Sequence, residues 1–179
     1  MARFIYGSGD NGSTINLSGK RVSKSDLSIE AVGDLDELNS HIGLCRAYCK
    51  DNKVNSMLLK VQKELFKMGS EVSLAGDKAS QNIPTLEESD LKELEEFIKD
   101  LSKDLPEIKR FVLPSGSKCS LQLNIARAVS RRAERSIVKL AEFKTLNPYI
   151  LKYANRISTF LFVASLYANK IEGIEDTFV

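Results

Sequence analysis

The sequence predicts an all-α fold, a five-helix antiparallel bundle. Three observations carry that prediction. From about residue 28 onward, apolar residues recur at alternating steps of three and four, which gathers them on one face of a helix and turns that face to a core. Capping residues and prolines divide the pattern into five runs with short connections, the mark of helices that neighbour one another in a bundle. No alternating apolar–polar stretch of any length, no internal repeat and no low-complexity tract breaks the series.

The first run is Ala31, Leu35, Leu38, Ile42, Cys45 and Cys49. The second is Val54, Leu58, Val61, Leu65, Met68, Val72 and Ala75, with Asn52 or Asp51 as its cap. A spacer from Gly76 to Pro84 follows. Thr85-x-x-Glu88 then reads as a capping box that opens a third helix with Leu91, Leu94, Ile98, Leu101 and Leu105 inward, stopped by Pro106. Pro114-Ser115-Gly116-Ser117 marks a loop, Ser117 is poised as the next N-cap, and the fourth helix runs to about Glu142. Asn147 caps the fifth, with Pro148 at the first helical position, where its missing N–H costs nothing. Its inward stripe is Ile150, Ala154, Ile157, Leu161, Ala164, Ala168 and Ile171. Residues 1–25 differ: Gly7, Gly9, Gly12 and Gly19 lie among Ser, Asp, Asn and Thr, a polar segment with a short extended piece at Arg3–Tyr6. It precedes a single helical domain over 26–179.

Composition narrows the function. A chain of 179 residues has the length of one domain, and 42% apolar with 28% charged residues excludes disorder. The balance of 26 Lys+Arg against 24 Asp+Glu, net +2, is too even for non-specific nucleic-acid binding, so any cationic site is local. The most apolar stretch, Phe160 to Ala164, is cut by Ser165 and Asn169 and falls short of the ~20 residues a membrane span needs. Glycine at position 7 arrives before an apolar signal region can develop. Three cysteines without a paired framework suit a reducing compartment. The expectation is a cytoplasmic protein with neither nucleic acid nor membrane as partner.

Chemistry concentrates in two places. Arg127, Arg131 and Arg135 stand at i, i+4 and i+8 on the fourth helix, with Arg132 and Glu134 between them. Like charges at that spacing repel, so something compensates them. Two readings stay open on charge density: a polyanion site, since guanidinium forks match phosphate oxygens, or a solvated basic face with salt bridges inside the bundle. The second place is Gly7-Ser8-Gly9-Asp10-Asn11-Gly12-Ser13-Thr14, a G-x-x-x-x-G-S-T string. A phosphate-binding loop of that class follows a buried strand in a parallel sheet, which this chain lacks. By itself the string reads as a turn series, although its glycine amides and hydroxyls suit phosphate. His41, Cys45 and Cys49 share a helical face, but the outer two are ~12 Å apart along the axis, so core cysteines are the better reading. Leu38 stands three residues before the sole histidine, which excludes the Glu-x-x-His pairs of a di-iron bundle. Asp34, Asp36 and Glu37 favour a helix N-terminus; alternatively Asp36 pairs with an arginine of the fourth helix. Asn155 reads as a core amide or a ligand contact.

Several segments together closely resemble the propanediol-utilisation type of ATP:cob(I)alamin adenosyltransferase: Ser8 to Thr14, Arg21-Val22-Ser23-Lys24, Glu30 to Ser40 with its Asp-Glu-Leu-Asn, Phe111 to Gly116, the Arg-Arg-Ala-Glu-Arg core within Arg127 to Arg135, and Asn155-Arg156-Ile157-Ser158 with Leu161-Phe162. They occur in the family's order across nearly the whole chain. The resemblance implies a ferritin-like bundle that assembles as a homotrimer with active sites at subunit interfaces. It implies transfer of the 5′-deoxyadenosyl group of ATP to the cobalt of cob(I)alamin, giving adenosylcobalamin and triphosphate. ATP would meet Gly7, Ser8, Gly9, Asp10, Gly12, Ser13, Thr14 and Lys24 from the N-terminal segment, and Arg131, Arg132, Glu134, Arg135 and Asn155 from the fourth and fifth helices. Asp36, Arg127 and Arg131 form the implied catalytic set, with Arg127 and Asp36 paired across the interface. Phe111 matches the aromatic that displaces the lower axial base of the corrinoid. Magnesium would arrive on the ATP phosphates rather than on protein ligands. A flavin reductase and an adenosylcobalamin-dependent enzyme are the further partners implied. Where the family usually has Thr-Gly-Asp this chain has Ser8-Gly9-Asp10, which keeps the hydroxyl, and Asn11 gives up a charge. A binding module that senses or delivers the ligand is the rival reading, and Phe111 speaks against it, because a pure binder needs no aromatic at the cobalt.

Overall fold

Each helix starts where a side chain accepts the backbone N–H groups that no preceding turn can satisfy. In the computed structural model, which describes residues 7–74, 76–79 and 82–179, Asp26 caps α1 (Leu27–Tyr48) by accepting from the Ser28 amide at 2.8 Å and the Ser28 hydroxyl at 2.6 Å. Asp51, one of the two expected caps, accepts from the Val54 amide at the start of α2 (Asn52–Leu74). Ser117 caps α4 (Lys118–Ala141), and Asn147 caps α5 (Pro148–Ile171) with Pro148 in the first turn. The expected Arg3–Tyr6 piece and Ala75 lie outside the described residues.

The third helix begins later than its sequence suggests. α3 spans Glu88–Ser102 with Glu87 as N-cap, and the Asp90 carboxylate accepts from the Glu87 amide at 3.0 Å. The Thr85-x-x-Glu88 box does not form because Leu86 is buried and its backbone is committed elsewhere. Its N–H donates to Glu71 Oε1 at 2.7 Å and its carbonyl accepts from Asn147 Nδ2 at 2.8 Å. Leu94 and Leu101 are buried, Leu91 and Ile98 only partly, and Leu105 lies past the helix end.

The buried stripes match the periodicity in α1, α2 and α5 and merge with the buried face of α4 into one core. Ile171 is the departure, 43% exposed: it is the last residue of α5, and the chain leaves the core by a turn at Gly173 with φ +69°. α1 packs between α2 and α4, and α5 between α4 and α3. Cross-helix pairs fix the directions. Arg46 with Asn55 and Asn39 with Gln62 make α1 and α2 antiparallel; His41 with Gln122 and Asp34 with Arg132 do the same for α1 and α4. Glu95 with Arg156 and Phe97 with Phe160 show α3 parallel to α5, as expected when successive helices alternate and the third and fifth become neighbours. Between α2 and α3, buried Glu64 meets Lys60 and Lys67, and Lys67 also meets Asp90.

Four short strands depart from the strand-free expectation. β1 (Ser13–Ile15) and β2 (Arg21–Ser23) form an antiparallel hairpin with Thr14 opposite Val22. β3 (Val112–Leu113) pairs with β4 (Thr177–Phe178), Val112 opposite Phe178. Strands of two or three residues are too short for a period of two to show in a sequence.

Candidate functional site

On α4, Arg131, Glu134, Arg135, Val138, Lys139 and Glu142 fall on one face, and Asn155 of α5 stands across from them. Together they line a groove of about 400 Å³. Asn155 is exposed, so it is no core amide; its Nδ2 donates to Glu134 Oε1 at 2.9 Å. That bond fixes the one carboxylate between the two arginines. Among the described residues Arg131 and Arg135 make no ion pair, and both are exposed. Two guanidiniums aimed at one groove without a partner raise the local potential and suit an anion with several oxygens. Lys139 and Glu142 were not among the sequence candidates, yet Lys139 continues the four-residue step of Arg127, Arg131 and Arg135. Extending that step by one turn finds it.

Arg132 does not face this groove. Its Nε donates to Asp34 at 3.1 Å and its terminal nitrogen to Glu37, while Ser136 donates to the second Asp34 oxygen. Glu37 first, then Asp34, raise the Arg132 guanidinium above its ordinary pKa. Asp34 and Glu37, three apart, share the α1 face turned to α4. Asp36 is turned away by two helical steps. It lines a second groove of about 460 Å³ with Val32, Asn39, Leu65 and Phe66, between α1 and α2. Within the chain Asp36 therefore meets no α4 arginine, and Asp34 and Glu37 hold the contact with Arg132. Arg127 lies against Phe162, its guanidinium carbon 5.7 Å from the ring centroid, and its Nε is buried without a hydrogen-bond partner.

The N-terminal candidates come together on their own turn. The Asn11 carboxamide oxygen accepts from the Ser13 amide at 3.1 Å and its hydroxyl at 2.7 Å, and Arg21 donates to the same hydroxyl. The Lys24 amide donates to the Gly12 carbonyl at 2.8 Å. A Cβ at Gly9 would sit 2.9 Å from Lys24 Nζ, so glycine lets the ammonium lie across the loop. Gly7, Ser8, Gly9, Asp10, Gly12, Ser13, Thr14 and Lys24 thus form one cationic, amide-rich turn. Among the described residues no hydrogen bond or ion pair joins it to the α4–α5 groove. Phe111 is in a third place, just before β3 and 84% exposed; its carbonyl accepts from the Val179 amide at 3.0 Å.

The remaining candidates have ordinary roles. His41 Nδ1 is hydrogen-bonded to the Gln122 side chain at 2.8 Å. Burial pushes the Cys45 thiol up to about 12, which keeps it neutral in the core. Among the described residues no group of three His, Cys, Asp or Glu side chains could hold a metal ion, and no helix is long and apolar enough to cross a membrane.

Comparison with known proteins bears directly on this arrangement. The family model for cobalamin adenosyltransferase matches residues 5–168. The chain is 37% identical over 172 residues to the corrinoid adenosyltransferase of Bacillus subtilis, covering 94% of this chain and 87% of that one. It is 38% identical over 177 residues to the cobalamin adenosyltransferase of Cupriavidus metallidurans, covering 98% and 93%. A solved structure of a variant PduO-type ATP:corrinoid adenosyltransferase from Lactobacillus reuteri, complexed with cobalamin and ATP, superposes with a TM-score of 0.90 at 30% identity and 96% coverage of both chains. A second variant of that enzyme, also complexed with cobalamin and ATP, gives 0.92 at 29% identity, covering 99% and 96%. Matched by that family model over residues 5–168, and similar along nearly its whole length to such relatives, the chain belongs to the cobalamin adenosyltransferase family.

Proposed function

We infer that this protein is an ATP:corrinoid adenosyltransferase, which moves the 5′-deoxyadenosyl group of ATP to the cobalt of cob(I)alamin. The cobalt(I) electron pair attacks C5′, the C5′–O bond breaks with its electrons on oxygen, and triphosphate leaves; the cobalt ends as cobalt(III) in adenosylcobalamin. The observation that carries this reading is the α4–α5 groove, where Arg131 and Arg135 have no ion pair and Glu134 is fixed by Asn155. Charge that develops on a departing polyphosphate is stabilised by cations already in place.

The separation of the candidate residues supports a site shared between chains, as in a homotrimer. The turn from Gly7 to Thr14 with Lys24 holds one side of the nucleotide. Arg131 and Arg135 of a neighbouring chain hold the phosphates, and Glu134 and Asn155 orient against them. Arg132 acts from behind, through its bond to Asp34 and Glu37. Arg127, held against Phe162, and the outward Asp36 complete each other across the interface. Phe111 faces the corrinoid and excludes its lower axial base. A divalent cation takes six or more oxygen ligands, and the groove offers only Glu134 and Glu142 among cations; magnesium therefore enters on the ATP phosphates, where it neutralises part of their charge. Cob(I)alamin must be generated by reduction, so the proposal includes a reductase upstream, a flavin reductase being the class the resemblance implies, and an adenosylcobalamin-dependent enzyme downstream, in a cytoplasm where thiols stay reduced.

The test is an anaerobic incubation with chemically reduced cobalamin and magnesium-ATP, scored by mass spectrometry. Adenosylcobalamin and triphosphate in equal amounts are expected. Tight ATP binding with neither product would make the protein a sensor or carrier instead.

A further inference from the structure

Phe111 projects into solvent from a two-residue strand pair, and a pairing that short is marginal by itself. Its position is set from Asn169, in the last turn of α5 and only 2% exposed. The Asn169 Oδ1 accepts from the Ser117 amide at 3.0 Å, and Nδ2 donates to the Ser115 carbonyl at 3.1 Å and to Asp176 Oδ1 at 2.8 Å. Its backbone carbonyl accepts from the Ile174 amide at 2.9 Å. One carboxamide thus ties the chain just after β3 to the chain just before β4. Ser115 and Thr177 hydroxyls, 3.1 Å apart, add a second tie between the same segments. Gly116 has φ +97°, and a Cβ there would stand 2.2 Å from Asn169 Oδ1. Only glycine lets the loop fold over this amide.

A buried asparagine is costly unless its polar atoms are satisfied, and it is a poor residue for a helix interior. Here both amide hydrogens and the oxygen are used, and every partner lies in the Ser115–Ser117 loop or the tail. We propose that Asn169 is a positioning residue for the corrinoid side of the site: it locks the register of β3 against β4 and so fixes where Phe111 stands. The proposal rests on reading Phe111 as the residue that excludes the lower axial base.

Asn169→Asp tests it. The substitution keeps the acceptor for Ser117 but replaces both donors with a carboxylate oxygen facing Ser115 and Asp176. The expected result is a corrinoid KM raised about tenfold, the worth of one hydrogen bond to a charged group, with the ATP KM unchanged. Electron paramagnetic resonance of cob(II)alamin bound with ATP supplies a signature that general destabilisation does not move. Nitrogen splitting from the lower base is absent in the parent protein and returns in Asn169→Asp. Adding Asp176→Asn restores a bond of reversed polarity and recovers part of the loss. Asp176→Ala, at the edge of the tail, shows the same direction and decides the matter if Asn169→Asp does not fold. Parent-like corrinoid KM and spectrum in an active variant, or equal rises in both KM values, would overturn the positioning role alone. A parent protein that turns over neither substrate would overturn the functional reading and this role with it.

Discussion

Arg131 and Arg135 stand within one groove with no ion pair of their own, whereas Arg132, adjacent in sequence, is bonded to Asp34 and Glu37. Three neighbouring arginines therefore divide between an open groove and a contact with α1, according to the helical face each occupies. On the proposed assignment of Arg131 to the leaving triphosphate, turnover of Arg131→Ala falls by about a hundredfold or more while far-ultraviolet circular dichroism stays that of the parent; a parent-like rate would exclude Arg131 from the site. Phe111→Ala has a different signature. Its expected loss of rate is larger with cob(II)alamin plus reductant than with cob(I)alamin supplied directly, because the proposed role of the aromatic is on the lower ligand and hence on reduction of the cobalt. Equal losses in both assays would remove that role. The arginine repeat was legible at this scale because a four-residue step is a property of sequence. Which arginine faces the groove was not, since that depends on where α1 packs.

Among the elements, the connection between α2, α3 and α5 shows how caps hold helices together as well as starting them. Asn147 accepts from the Tyr149 amide, and its Nδ2 donates to Glu71 and to the Leu86 carbonyl. Asn147→Ala removes the cap and both cross-links, with an expected loss of about 2 kcal/mol, the upper end for a cap, read as a lower urea midpoint at unchanged slope. Asp26 caps α1, and the Ser28 hydroxyl and amide bonded to it hold its carboxyl below the usual carboxylate range. A carboxyl whose folded pKa is depressed contributes stability above its unfolded pKa and loses it as pH falls through the folded value. Stability should therefore decline below about pH 4, and Asp26→Asn should flatten that acid limb; an unchanged limb would assign the acid sensitivity to other groups. Four of the five helix starts were legible to within a residue. The third was not, because long-range bonds to Leu86 outcompete a local capping box.

For the whole molecule, the decisive feature is that, among the described residues, no hydrogen bond or ion pair joins the amide-rich turn to the arginine groove within one chain. If each site joins the turn of one subunit to the groove of the next, two inactive variants complement each other. Lys24→Ala and Arg131→Ala, unfolded and refolded together in equal amounts, should recover about a quarter of parental activity, the share of interfaces in a random cyclic assembly that combine an intact turn with an intact groove. No recovery would place both sets of residues in one chain's site.

Periodicity and caps sufficed for the helices, for the inward stripes of α1, α2 and α5 and for the polar N-terminal segment, and charge steps singled out the arginines proposed to hold phosphate. Those features are local, repeating every turn or set within a few residues, and local patterns survive in a sequence. Tertiary structure alone decided that Arg132 belongs to α1, that Asp36 faces away from α4, that α3 starts at Glu88, and that Asn169 joins β3 to β4. Each of these depends on at least one contact between residues 15 to 98 positions apart, and no local pattern records which distant group a side chain will meet.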